Sequence, residues 1–210
     1  MSKIIKTQFR TEVVSGIEYN KYPPPSSLIK ATEMKRAILL RDEGNIRLSS
    51  IEYYQSLEKP ELGDQNEGQG MFELNGHAME SGSINEVYIW CSAIPSTNPD
   101  ILKSLSSNYD TIIRVIEVEE FVNRIRKAAM SKGYDLMPHM GAVIYNRGEE
   151  VTKKVLNDQK WHHNVFQKGN EFSHQEEYRV AFCNFTFDKI GLGHLDLELG
   201  NCSDIIKIET

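Results

Sequence analysis

Cysteine is scarce in this 210-residue chain, with only Cys91, Cys183 and Cys202. An odd, widely spaced set builds neither a disulfide framework nor a CxxC zinc site. The three thiols are expected to be buried and reduced. Long apolar runs are missing as well. Runs such as "AILL" and "VIY" fall far short of the ~20 residues that a membrane span needs. No apolar stretch follows the basic N-terminus "MSKIIKTQFR", so no secretory signal is expected, and the protein is read as cytoplasmic with no membrane partner. Positive charge is in deficit: 24 Lys and Arg stand against 30 Asp and Glu, a net charge of −6. That balance argues against a protein that coats nucleic acid through its phosphates, although a local basic patch is compatible with a nucleic-acid substrate. Repeats, low-complexity tracts and obvious linkers are lacking too.

What is present reads as one soluble domain over residues 1–210. Hydrophobic residues at 40% and charged residues at 26% are ordinary for a globular chain. "YPPPSS" (22–27) reads as an extended entry, because residues before proline are pushed away from helix. Ser26 or Ser27 is then placed to cap a helix. Leu28, Ala31, Met34 or Lys35, and Ile38 recur at helical spacing, with Gly44 as the stop. "IRLSS" follows as a short strand. Residues 55–83 are polar and glycine-rich without periodicity, and are expected as a long functional or mobile loop. Strands are expected at 86–94, 111–118, 140–146, 178–185, 194–199 and 205–209. Between the second and third of these, "EEFVNRIRKAAMSKG" (119–133) carries one apolar stripe, Phe121, Val122, Ile125 and Ala128/Ala129, and reads as an amphipathic helix. Strands outnumber helices and βαβ alternation fails after residue 51. The class is therefore α+β with a mixed, mostly antiparallel sheet and few helices.

Three polar stretches could carry chemistry. In "EFSHQEEYRVAFC" (171–183), strand alternation puts Glu177, Arg179 and Ala181 on one face and Tyr178, Val180 and Phe182 on the other. Gln175 joins the Glu177 face if the extended backbone begins that early. The plainer reading is a solvated strand end with a Glu177–Arg179 pair. In "IRLSSIEYYQSLE" (46–58), Ser49 and Ser50 can hydrogen-bond a carboxylate or a ribose, and Tyr53 or Tyr54 can stack on a planar ring. Here the plainer reading is a helix cap followed by core tyrosines. In "EYNKYPPP" (18–25), Lys21 can meet a phosphate as a point charge. The histidines show no HxxxH or HxH spacing: His162 and His163 are adjacent, and His174 stands apart, so no zinc site is expected. "GLGHLDLELG" lacks the following helix that a phosphate loop requires.

Taken together, "GNIRLSSIEYYQSLEKPELGDQNEG", "QEEYRV" and "LDLELGNCSDIIKI" resemble a broad family of uncharacterised bacterial proteins, some of them linked to abortive infection. The likeness spans roughly residues 17–209. The order of elements is also similar to that of the mono-ADP-ribosyltransferase toxins. In those proteins a first strand meets NAD with a polar residue, a second carries hydroxyl and aromatic residues, and a late strand begins with the catalytic glutamate. The resemblance implies an ADP-ribosyltransferase-like fold and NAD as substrate, with no metal. It implies Glu177 and Gln175 as catalytic residues and Lys21 or Tyr22, Ser49, Ser50, Tyr53 and Tyr54 as contacts to NAD. Under it, Ser49 holds Glu177, Tyr53 stacks on nicotinamide, and Gln175 orients the acceptor. Two departures stand out: lysine replaces the usual arginine or histidine of the first strand, and "LSS" lacks the threonine many toxins carry between serines.

The leading expectation is thus a toxin or antiphage effector that transfers ADP-ribose to a macromolecule, nucleic acid or protein, with an antitoxin as a candidate partner. Two other classes compete with it. One is a non-enzymatic interaction module of a toxin–antitoxin or defence complex, using the 55–83 loop and the 119–133 helix. The other is a nuclease in which Glu177 and Asp64 converge on magnesium.

Overall fold

The computed structural model describes residues 12–21, 23–57, 64–82, 86–148, 164–184, 186 and 190–209. In chain order the elements are β1 (Glu12–Val14), β2 (Ile17–Tyr19), β3 (Leu28–Thr32), α1 (Met34–Asp42), β4 (Asn45–Ser50) and α2 (Ile51–Ser56). Next come β5 (Gln69–Leu74), β6 (His77–Gly82), β7 (Val87–Ala93), α3 (Pro99–Ser104), β8 (Thr111–Val115) and α4 (Val118–Ser131). The last are β9 (Leu136–Ala142), β10 (Ile144–Tyr145), β11 (Gln167–Lys168), β12 (Glu177–Asn184), β13 (His194–Glu198) and β14 (Ile206–Glu209). A short 3-10 helix at Asn170–Gln175 precedes β12. No helix among the described residues is long and apolar enough to cross a membrane.

Ten strands form one sheet, with the path β1-β2-β9-β12-β7-β3-β8-β14 and β13-β4 branching from β7. Its pairs are antiparallel except β2 with β9. The class is α+β with a mostly antiparallel mixed sheet and few helices. Alternation sorts the side chains into two layers, because successive residues of a strand point to opposite faces. Tyr178, Val180 and Phe182 of β12 enter the main core with Trp90 and the α4 residues Phe121, Val122 and Ile125. Ala181 and Cys183 face the other way, against Ile51 of α2 and Val165 and Phe166. Helix α3 covers the same second face further along, where Leu102 packs on Ile29, Ala31 and Ala93.

Strand β7 makes the feature that positions the site. One edge pairs with β12 over its whole length. The other edge is shared: β4 takes Tyr88 and Ile89, while β3 takes only Ala93. Between them, at Trp90, Cys91 and Ser92, the sheet forks. Lys30 spans the fork and donates from Nζ to the Cys91 carbonyl at 2.7 Å, meeting an acceptor that no strand there meets. Its ammonium also lies 5.5 Å from the Trp90 ring centroid, a cation–π distance.

Four expected elements differ. The strand expected at 111–118 is the shorter β8, because Val118 already begins α4, and the one expected at 140–146 is split between β9, which starts at Leu136, and β10. The helix expected from Leu28 starts only at Met34, and Leu28–Thr32 is a strand. Leu28 and Ile29 are both buried, on opposite faces, and β3 pairs with β8 from Leu28↔Val115 to Thr32↔Thr111. A strand buried on both faces has no alternation to read, so pairing overrides the weak 3.6-residue pattern. Neither Ser26 nor Ser27 caps the helix: the Met34 amide is met at 2.7 Å by Asp110 Oδ1, seventy-six residues away. The expected loop 55–83 contains an antiparallel hairpin, β5 with β6. Its turn is Asn75-Gly76, both at positive φ (53° and 77°), the backbone that a two-residue hairpin turn requires. Helix α4 and the strands at 86–94, 178–185, 194–199 and 205–209 fall where expected, within a residue or two.

Candidate functional site

The polarity at 171–177 follows from how β12 begins. Residues 170–175 wind as a 3-10 helix, and Glu176 then takes the left-handed backbone, φ 44° and ψ 44°. This single residue turns the chain into β12. The extended backbone therefore starts at Glu177, not at Gln175. Gln175 does not reach the Glu177 side by strand alternation; the turn folds it there. It is 3% exposed, and its Oε1 accepts from Lys168 Nζ at 2.9 Å.

Glu177 is not at a solvated strand end. Its side chain is 11% exposed and lies between two cations. Lys168 Nζ stands 2.5 Å from Oε1, and Arg179 Nε donates to Oε2 at 2.7 Å. Arg179, 1% exposed, spends its other nitrogens on Glu67, through a pair of bonds at 2.6 and 2.9 Å, and on the Val165 carbonyl. Lys168 also lies 4.9 Å from the Phe172 ring centroid. The backbone amide of Glu177 donates to Tyr145 Oη at 2.8 Å. Burial pushes the Glu177 carboxyl up, but the charges of Arg179 and Lys168 outweigh it and hold the group at about 2. The result is a carboxylate ionised at neutral pH, fixed in direction by two cations that are each shared with another acceptor.

This group borders a cleft of about 620 Å³ that passes through the β7 fork, lined from the second face by Cys91, Ala93 and Leu102 and from the main-core side by Leu40, Trp90 and Ile113. Tyr53 and Tyr54 of α2 and Ser49 of β4 line one side, Gln175, Lys168 and Arg179 surround Glu177, and Leu102, Leu105 and Tyr109 line the side near α3. Five of the eight sequence-derived residues, Ser49, Tyr53, Tyr54, Gln175 and Glu177, therefore share one cavity. The Tyr54 hydroxyl lies 3.6 Å from Cys91 Sγ, and burial pushes its pKa well up, with the Cys91 thiol and the Glu177 charge adding to it. Tyr53 packs edge-on to Tyr54 at 5.8 Å between centroids and is 40% exposed, at the mouth.

Ser49 lines the cavity but does not hold Glu177. It pairs with Ile89, which pairs with Ala181, so it lies four residues along β12 from Glu177, roughly 13 Å by strand rise. Lys168 and Arg179 do the holding. Ser50 caps α2, its Oγ accepting from the Tyr53 amide at 3.1 Å, and it is not part of the cavity lining. Lys21 is exposed and also outside that lining. Tyr22, like His162 and His163, lies outside the described residues.

Sequence reasoning missed Lys168, Glu67, Tyr145 and Lys30. Nothing in "FQKGN" marks Lys168, which enters through the two-residue pairing of β10 with β11. Glu67 did have a signal, the acidic–glycine run "GDQNEG", but a buried salt bridge to a residue 112 positions away is not a spacing pattern. Asp64 of the same run is held by Arg147 Nη1 at 2.6 Å, with both side chains under a tenth exposed. Asp64 and Glu177 thus each answer to cations of their own. Among the described residues no group of three or more His, Cys, Asp or Glu is gathered as metal ligands.

Compared with protein families, with characterised proteins and with solved structures, the chain matches none.

Proposed function

We propose that the protein is a mono-ADP-ribosyltransferase of ADP-ribosyltransferase-like fold. It binds NAD in the forked-sheet cleft, releases nicotinamide and transfers ADP-ribose to a macromolecule. The observation that carries this reading is a buried, ionised Glu177 in a 620 Å³ cleft that also presents two tyrosine rings. A volume of that size suits a nucleotide-sized ligand. In the reaction, the bond from the ribose C1′ to the nicotinamide nitrogen breaks and its electron pair leaves with nicotinamide. The ribose becomes oxocarbenium-like, as in glycoside cleavage. An acceptor oxygen or nitrogen then attacks C1′ and loses a proton.

Glu177 supplies preorganised negative charge beside that developing cation. Its two counterions orient it without fully discharging it, since Arg179 also serves Glu67 and Lys168 also serves Gln175. Tyr54 and Tyr53 offer ring faces, and a cationic nicotinamide ring is attracted to them as any cation is. Gln175, fixed by Lys168, stands beside Glu177 where an acceptor group can be hydrogen-bonded. The resemblance to abortive-infection-linked proteins supports a toxin or antiphage role, with an antitoxin as partner. For a magnesium nuclease, the metal would have to displace Arg147 from Asp64 and Lys168 from Glu177, which makes that reading the weaker one.

The test is transfer of label from NAD, tagged on its adenosine half, to a bacterial lysate. The expected outcome is label on a discrete macromolecular fraction, removed by either nuclease or protease, which names the acceptor class. Folded protein that leaves all label on NAD would sink the proposal.

A further inference from the structure

The end of the cleft away from Tyr53 is built for a different chemical group. Six cations line the cavity, Lys30, Arg36, Arg47, Lys132, Lys168 and Arg179, against four carboxylates, Glu67, Glu177, Asp196 and Glu198. The lining is therefore positive in a chain whose net charge is −6. Arg47 is paired with Asp196 at 2.8 Å, and Lys168 and Arg179 are paired with Glu177. Lys132 donates to the Asp196 carbonyl, which leaves Lys30, at the fork, and Arg36, on α1. Among the described residues Lys30 has the Cys91 carbonyl as its hydrogen-bond acceptor, and neither Lys30 nor Arg36 has a carboxylate partner there.

Register fixes how these groups sit relative to Glu177. Glu177 pairs with Ala93, and Ala93 pairs with Ile29. Two inter-strand steps are roughly 10 Å; Lys30, the next residue on, alternates to the opposite face, and its ammonium reaches back into the fork to the Cys91 carbonyl. Beyond the fork, on the second face, the cavity wall turns apolar. Ile29, Ala31 and Ala93 form its base, and Leu102 and Leu105 close it from the α3 side. Tyr109 adds a half-buried ring whose hydroxyl has no hydrogen-bond partner among the described residues.

We propose that this end is a nucleoside-diphosphate subsite, in which Lys30 and Arg36 hold the phosphates and the slot under α3 takes the planar base against Tyr109. The assignment rests on the NAD reading, since one ligand then spans from Glu177 to α3. Lysine and arginine without carboxylate partners bind phosphate without first breaking an ion pair. A slot walled by aliphatic side chains and an aromatic ring buries the base.

The experiment is calorimetric titration of the full chain with ADP, with inorganic pyrophosphate and with ribose 5-phosphate. Wild type is compared with Arg36→Ala, Lys30→Met and Tyr109→Ala, each checked for folding by its thermal melt. Arg36→Ala is the safeguard, because that side chain is exposed and its loss leaves the core intact. The expected result is that ADP binds, and that Arg36→Ala and Lys30→Met weaken both ADP and pyrophosphate by ~10-fold, the scale of a charge-assisted hydrogen bond. Tyr109→Ala is expected to weaken ADP alone, and ribose 5-phosphate to bind more weakly than ADP. ADP that fails to bind wild type, or binds all the variants equally, overturns the subsite. Nicotinamide release measured alongside separates the two ideas. Release that depends on Glu177, with ADP indifferent to the variants, removes only the subsite. ADP binding that follows the variants with no release from NAD removes the NAD reading and leaves the subsite standing.

Discussion

Glu177 and Arg179 alternate onto one face of β12, as the strand pattern in "EEYRV" requires, and that much was legible in the sequence. Their burial was not, because it depends on Lys168 and Glu67, which come from segments with no local relation to β12. On the plainer reading the pair would sit at a solvated end and contribute ~0–1 kcal/mol; in the cleft, removing one partner strands a buried charge and costs far more. This sets a pH dependence. The folded carboxyl of Glu177 titrates at about 2, against 4.5 for the free group. Between those values the unfolded chain binds the proton that the folded chain refuses, so stability falls as pH falls through that window. Above about 4.5 the contribution is fully present. Glu177→Gln is therefore expected to be less stable than wild type at neutral pH, with the gap narrowing toward pH ~2. Urea unfolding across the range checks it, and a gap independent of pH would contradict the ion-pair account. Arg179→Ala is expected to be worse, by about 3–5 kcal/mol, since it leaves both Glu177 and Glu67 buried with less compensation.

Elements were legible where one strong pattern decided them. Helix α4 follows its apolar stripe, and Val118, Phe121, Val122, Ile125 and Ala129 are the residues it buries. Strand β3 was misread because its partners β7 and β8 lie sixty and eighty residues on, and a strand buried on both faces carries no period. The β5–β6 hairpin was hidden by its polar, glycine-rich composition, although Asn75-Gly76 is the commonest chemistry for such a turn. Two measurements belong at this scale. Gly44 ends α1 at φ +75°, and a Cβ there would lie 2.2 Å from the Gly200 carbonyl oxygen. Gly44→Ala combines left-handed strain with a backbone clash and is expected to lose more than ~1–2 kcal/mol, read as a lowered thermal midpoint. Asp64→Ala is expected to cost about 3–5 kcal/mol through the stranded Arg147 and to loosen the hairpin, since Arg147 also donates to the Gln69 carbonyl. By contrast, Asp196→Ala removes an ion pair whose side chains are more than half exposed, and should shift the urea midpoint little. Equal losses in the two variants would mean that burial is not what separates these pairs.

At the scale of the whole molecule, the site is a consequence of topology. One strand, β7, is asked to pair with both β3 and β4 on a single edge, cannot do so along its length, and opens a cavity at Cys91. Helices α2 and α3 then wall that cavity from either side, and the turn before β12 delivers Glu177 into it. A fork of this kind is invisible to local pattern, because each strand taken alone looks ordinary. The sequence pointed to Ser49, Tyr53, Tyr54, Gln175 and Glu177 as companions, and they do line one cavity; the register that keeps Ser49 away from Glu177 could come only from the pairing. The central claim is that the carboxylate at the floor of this fork drives cleavage of NAD. Nicotinamide released from NAD by purified wild type and by Glu177→Gln, both shown to be folded, tests it most directly. The account predicts steady release by wild type and a rate lower by ~10²–10³ in the variant. Release at equal rates, or none from the wild type with a lysate present as acceptor, would contradict it.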